Sequence, residues 1–88
     1  LICPSPPAAA AQIIGTADDL LGDAQKARDY WIGANACGQT SAPFGPSPCV
    51  SYDGCATGRP EVYCEIPNMG HELWSNAAEV TWKLFSSL

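Results

Sequence analysis

Five cysteines in 88 residues, among only four basic and nine acidic side chains, constrain this chain more than any other feature. That density points to disulfides, and so to an oxidising compartment outside the cell. No C-x-x-C pair occurs, and the single histidine, His71, cannot complete a zinc-finger pattern, so no structural metal is expected. An odd number leaves one cysteine over after two internal bridges. Cys3, alone near the start of the chain, is the natural orphan, free or paired with another segment.

A chain of this length makes one small domain, or part of a larger one, with little stability to spare. With 47% hydrophobic and 15% charged residues it is not a disordered acidic tail. A net charge of −5, with Lys26, Arg28, Arg59 and Lys83 scattered, argues against nucleic acid, because nothing neutralises a row of phosphates. No apolar run approaches the roughly 20 residues that a membrane span needs. The opening "LICPSPPAAAAQIIG" lacks a basic n-region and carries prolines where a helical core would lie, so it is not expected to be a signal peptide.

The segment 1–11 reads as a loop or linker, because its prolines favour extended backbone. "AQIIGTADD" then predicts a buried strand ending near Gly15, with a polar loop at its carboxyl end. In open α/β sheets that edge is where chemistry is placed. From Asp23, "DAQKARDYWIGANACG" predicts an amphipathic helix capped by Asp23 and stopped by Gly38, with Ala24, Ala27, Tyr30, Trp31 and Ala34 along one stripe. "QTSAPFGPSP" reads as a loop. "CVSYDGCATGRPEVYCEIP" predicts a hairpin. The closing "NAAEVTWKLFSSL" predicts a helix with Asn76 and Glu79 as a capping box and Ala77, Val80, Leu84 and Leu88 on its inner face. The order strand, helix, hairpin, helix is that of an α/β sheet rather than of a self-contained disulfide scaffold.

Chemistry concentrates at two loops. An aspartate after one strand and His71 after a later one follow the acid-then-base order of α/β-hydrolases. Imidazole exchanges a proton near neutral pH without a large pKa shift, and a carboxylate fixes its tautomer. Gly70 lets the backbone turn sharply ahead of the ring. Asp18 is taken as the acid, with Asp19 the alternative register and a turn cap the plainer role for either. Trp31, Trp74 and Trp82 have the character of core residues, but an indole at Trp74, beside His71, would stack on a sugar or an aromatic acyl group. Asp53 reads as a turn residue, Glu65 as solvated, and Glu72 as solvated or at the rim of a cleft.

"IIGTADDLLGDAQKARDYWIGANACG" resembles the acid segment of secreted esterases of carbohydrate esterase family 1 and the related polyhydroxybutyrate depolymerases: a strand, G-T-x-D, a helix with A-x-D-x-W character and a closing N-x-C. "SYDGCATGRPEVYCEIPNMGHELW" is similar to their carboxyl-terminal stretch, with its Y-x-G-C turn, strand cysteine, G-H and tryptophan, and "AAEVTWKLFSSL" to their last helix. The likeness spans roughly residues 12 to 88. Two departures stand out: Ile14 occupies the place of a histidine often found before G-T-x-D, and "LLGD" replaces the usual V-P-Y stretch. The resemblance implies that residues 12–88 form the disulfide-stabilised C-terminal portion of an α/β-hydrolase sheet, with Asp18 as catalytic acid and His71 as base. It further implies a serine esterase acting on feruloyl or acetyl esters of plant cell-wall polysaccharide or on small aryl esters, with a polyhydroxyalkanoate depolymerase as the alternative, and no metal or organic cofactor.

An esterase also needs a nucleophile, and no G-x-S-x-G occurs. Ser5, Ser41, Ser47, Ser51, Ser75, Ser86 and Ser87 fall in expected loops or on the last helix. The nucleophile and the oxyanion hole are therefore expected on a partner, the remaining N-terminal part of the hydrolase. From another class comes a small secreted disulfide-bonded carbohydrate-binding module with His71 and Trp74 in a recognition loop, and a third reading is a non-catalytic fragment left by processing. Cys49 with Cys55, and Cys37 with Cys64, is the expected pairing, with other connectivities open.

Overall fold

The computed structural model describes residues 8–88; residues 1–7, with Cys3 and most of the expected leading loop, lie outside the described residues. Six elements follow in order: β1 (Ala10–Gly15), α1 (Leu21–Ala34), β2 (Ser41–Pro43), β3 (Val50–Tyr52), β4 (Glu61–Ile66) and α2 (Ala77–Ser86). The strands form one mixed sheet in the order β1-β4-β3-β2. β1 runs parallel to β4, while β3 pairs antiparallel with both β4 and β2. The expected α/β content, strand, helix, hairpin and helix are all present. β1 opens at Ala10, two residues inside the expected linker, and β2 forms where only a loop was expected.

Alternation along β4 divides the sheet into two unlike faces. Val62 and Cys64 meet Cys49 and the α2 residues Val80 and Leu84 in a buried core, with Ile13, Phe44, Ile66 and Trp74 packed around it. Burying a valine or leucine of this kind contributes about 1.5–3 kcal/mol each. Leu88, expected on the same stripe, is exposed beyond the end of α2. The other face, under α1, is polar. Gln25 donates from its side chain to Glu65 at 3.1 Å, the Tyr63 hydroxyl donates to the same carboxylate at 2.8 Å, and the Arg28 guanidinium lies 4.8 Å from the Tyr63 ring centre. The α1 stripe is correspondingly shallow: Ala24, Ala27, Trp31 and Ala34 are half-buried, and Tyr30 is exposed.

Two helix starts differ from expectation. α1 begins at Leu21, so Asp23 lies in its first turn instead of capping it. Asn76 precedes α2 at the cap position, but its side chain makes no capping hydrogen bond, so the Asn76–Glu79 box does not form. At its far end α1 is anchored by Asn35, fully buried, which donates to the carbonyl of Ala8 at 2.7 Å and accepts from the Ala8 amide at 3.2 Å.

Cys37, Cys49, Cys55 and Cys64 are all oxidised, but the expected pairing is exchanged: the bonds are Cys37–Cys55 and Cys49–Cys64. Sheet register explains this. Val50 stands opposite Tyr63 across the antiparallel β3–β4 pair, so the next positions outward, Cys49 and Cys64, also face each other on the core side. Cys37, just past α1, is left beside the turn that carries Cys55. The Cys49–Cys64 bond closes a separation of 15 residues, for which chain-entropy arguments give about 3 kcal/mol.

Glu61 is fully buried on the α1 side of β4, and neither of its carboxyl oxygens has a hydrogen-bond partner; the buried Oε1 of Gln12 is likewise unpaired. Burial pushes the Glu61 carboxyl up to about 8, against the smaller opposing pull of Gln12 and Arg28. A raised carboxyl binds its proton more tightly in the folded state, so stability is fully retained below the unfolded value of 4.5 and declines as pH climbs through about 8. Glu61→Gln removes the charge and keeps the shape. Denaturant melts should show the variant more stable than the parent by about 1–3 kcal/mol at pH 8, the cost of desolvating a charge that glutamine does not carry, and nearly level with it at pH 4. A constant difference across that range would refute the assignment.

Candidate active site

The carboxyl ends of β1 and β4, parallel neighbours, deliver two turns to the same end of the sheet. After Gly15 the chain bends, with Asp18 N–H donating to the Gly15 carbonyl at 3.1 Å. After Ile66 it bends again at Asn68, whose φ of +62° is the left-handed region that asparagine tolerates. Three hydrogen bonds lash the turns together. Thr16 N–H donates to Ile66 O at 3.0 Å, Ala17 N–H to Met69 O at 2.9 Å, and Asn68 N–H to the Thr16 hydroxyl at 2.7 Å. Gly15 permits this closeness: a Cβ there would lie 1.9 Å from the Met69 carbonyl oxygen.

Asp18 and His71 meet across this junction. His71 Nδ1 lies 2.9 Å from Asp18 Oδ2, with the aspartate side chain 5% exposed and the imidazole 80% exposed. The other carboxylate oxygen, Oδ1, accepts the Leu20 amide at 2.8 Å. That amide, and after it the His71 ring, hold the Asp18 carboxyl below the usual carboxylate range, while burial acts in the opposite direction. Asp18 is thus an ionised, doubly held acid just ahead of α1. The ring it grips turns its Nε2 edge to solvent.

Chemically, this is an oriented base. An Nδ1 proton bound to a carboxylate leaves the Nε2 lone pair outward, ready to take a proton from an incoming hydroxyl. The hollow in front of the pair, about 460 Å³, is lined by Ala17, Asp18, Asp19, Leu20 and His71. None of these carries a hydroxyl or a thiol. Asp19 lines the hollow, and the carboxylate that contacts His71 is that of Asp18. Trp74, the expected stacking residue, is half-buried against the core. It lines a separate depression with Leu73, Ser75, Ala77, Ala78 and Thr81, beside Leu73 at 87% exposure.

Sequence reasoning missed the residues that bring the pair together: Gly15, Thr16, Leu20 and Met69. A glycine closing an apolar strand signals a close backbone approach, and that cue was present at Gly15. The Leu20 amide carries no signal, because it acts through its backbone. Among the described residues no group of three His, Cys, Asp or Glu side chains is placed to hold a metal ion, and no helix is long and apolar enough to cross a membrane. No protein-family model and no curated protein matches this chain.

Proposed function

We propose that this chain supplies the acid and histidine of a secreted serine esterase of the carbohydrate esterase family 1 type, with the nucleophilic serine on a segment outside it. The carrying observation is the Asp18–His71 contact at 2.9 Å between a buried carboxylate and an exposed ring. An ordinary surface ion pair leaves both partners wet and contributes little. Here the acid is buried and fixed by a second donor, as a group that must orient an imidazole needs to be.

In the reaction, His71 Nε2 removes the serine proton as the serine oxygen attacks the ester carbonyl. The resulting imidazolium, stabilised by Asp18, returns that proton to the departing alkoxide. Water then repeats the sequence on the acyl-enzyme, releasing the acid and restoring serine and neutral His71. Feruloyl or acetyl esters on plant polysaccharide are the proposed substrates, with a polyhydroxyalkanoate as the alternative. Two disulfides fit an extracellular setting.

The rival reading, a carbohydrate-binding module, draws support from the four described cysteines pairing among themselves. A serine-reactive fluorophosphonate separates the two. Treated with the natural, secreted protein and read by intact mass, it is expected to label a segment other than residues 8–88, and His71→Ala should abolish that labelling. Persistent absence of label, with the chain binding xylan, would favour the module.

A further inference from the structure

The hollow in front of the acid–histidine pair holds a second carboxylate that the reaction does not use. Asp19 is exposed and lines it beside Asp18, His71, Ala17 and Leu20. Asp18 is occupied on both oxygens, by the Leu20 amide and by the His71 ring. Among the described residues no hydrogen bond or ion pair engages the Asp19 side chain, so the hollow carries its full charge.

The lining does not balance that charge. Among the described residues, His71 is the one side chain lining the hollow that can become positive, and Ala17 and Leu20 add apolar surface. Arg28 pairs with Asp29 at 3.0 Å and lies over the Tyr63 ring, while Lys83 donates to the carbonyls of Phe44 and Gly45. The start of α1 would attract an anion through its free amides. Asp18 takes two of these itself, the Leu20 amide on its carboxylate and the Leu21 amide on its carbonyl at 3.1 Å. The plainer role for Asp19 is to complement the same helix end.

Geometry gives it a second role. The leaving alcohol is the part of an ester that must enter this hollow, because its oxygen takes the proton from His71 Nε2. A carboxylate on that alcohol, brought within about 6–8 Å of Asp19, meets a repulsion that slows reaction about 3- to 10-fold in a partly open cleft.

We propose that Asp19 selects the leaving alcohol by charge: it admits esters of neutral or cationic alcohols and rejects esters of hydroxy acids, whose alcohol carries a carboxylate beside the ester oxygen. This inference rests on the esterase reading above. Cleavage at the acid-bearing end of a polyhydroxyalkanoate chain falls in the rejected class.

The acetyl and feruloyl esters of lactate and of lactamide test it in the protein secreted by its natural host, with Asp19→Asn and Glu72→Gln made in that host. The two alcohols share a shape and differ by one charge. The readout is kcat/KM for the lactamide ester over that for the lactate ester, compared with the parent, so the unequal leaving abilities of the alcohols cancel. Asp19→Asn is expected to lower this ratio about 3- to 10-fold at low salt, by speeding the lactate ester alone. The difference from the parent should fade near 1 M salt, where charges are screened beyond about 3 Å. Glu72→Gln removes an exposed charge next to His71 that does not line the hollow, and should move the ratio by less than about twofold. A ratio that Asp19→Asn leaves unchanged, with both esters faster or slower together, overturns the proposal, makes Asp19 a helix-end charge and leaves the esterase reading standing. An equal change from Glu72→Gln overturns the assignment to Asp19. Absence of His71-dependent hydrolysis of either lactamide ester also overturns the proposal, since lactamide belongs to the admitted class, and the fluorophosphonate then decides the esterase reading separately.

Discussion

On the esterase reading proposed above, Asp18→Asn is expected to lower ester turnover by roughly 10⁴-fold with the fold intact. The size of the effect follows from how the carboxylate is held. Its Oδ1 is committed to the Leu20 amide at 2.8 Å, so the asparagine oxygen must take that place. The side-chain NH₂ is then left facing His71 Nδ1, where Oδ2 stood at 2.9 Å. An NH₂ there donates to Nδ1 and drives the ring proton onto Nε2, the position that must accept from the nucleophile. The loss therefore falls on kcat and leaves KM nearly untouched. Nitrogen-15 NMR of the His71 ring should show the tautomer exchanged in the same variant. Turnover within a factor of ten of the parent, or an unchanged tautomer, would remove Asp18 from the mechanism.

Gly15→Ala should be the most damaging single methyl in the molecule. The added Cβ would lie 1.9 Å from the Met69 carbonyl oxygen, 2.5 Å from its carbon and 2.8 Å from the Met69 Cβ. Backbone cannot yield as a side-chain tip can, so the two turns must separate. Overpacking of this kind costs about 1–3 kcal/mol or more, read as a lower midpoint in chemical denaturation. The same displacement should break the Ala17–Met69 and Asp18–His71 hydrogen bonds, so His71 should lose its coupling to Asp18 even where the variant still folds. Gly22→Ala is the control: nothing lies within 4 Å of a Cβ there, and a helix position gains from alanine. Equal effects at the two glycines would contradict the close approach.

Much of this architecture was legible in the residues. β1, β4 and both helices announce themselves by apolar periodicity, and Asp18 and His71 stand out because one loop follows each parallel strand. Other features were hidden because tertiary pairing decides them. β2 contains Ser41, Ala42 and Pro43, a poor strand by propensity, and exists because β3 pairs with it. The disulfides follow strand register instead of chain proximity, so the near neighbours Cys49 and Cys55 do not join. α1 starts ahead of its expected cap because Asp18 takes up the Leu20 amide, a bond between groups that local pattern treats as unrelated. Glu61 was invisible for another reason: a carboxylate at a strand start reads as solvated, and α1 covers it.

The disulfides also set the sequence in which the molecule comes apart. Cys37–Cys55 clamps the end of α1 to the β3–β4 turn, and Cys49–Cys64 rivets β3 to β4 inside the core. Among the described residues the turns that bear Asp18 and His71 lie beyond both disulfides, Cys64 standing two residues before Ile66, and they are closed by the hydrogen bonds from Thr16, Ala17 and Asn68. Local opening is therefore graded along the strands, easiest where the acid meets the histidine and hardest at the opposite pole. Warming should scatter the acid–histidine pair while the cystine-bound sheet beneath it keeps its shape, and cooling should restore it from a template that never dissolved.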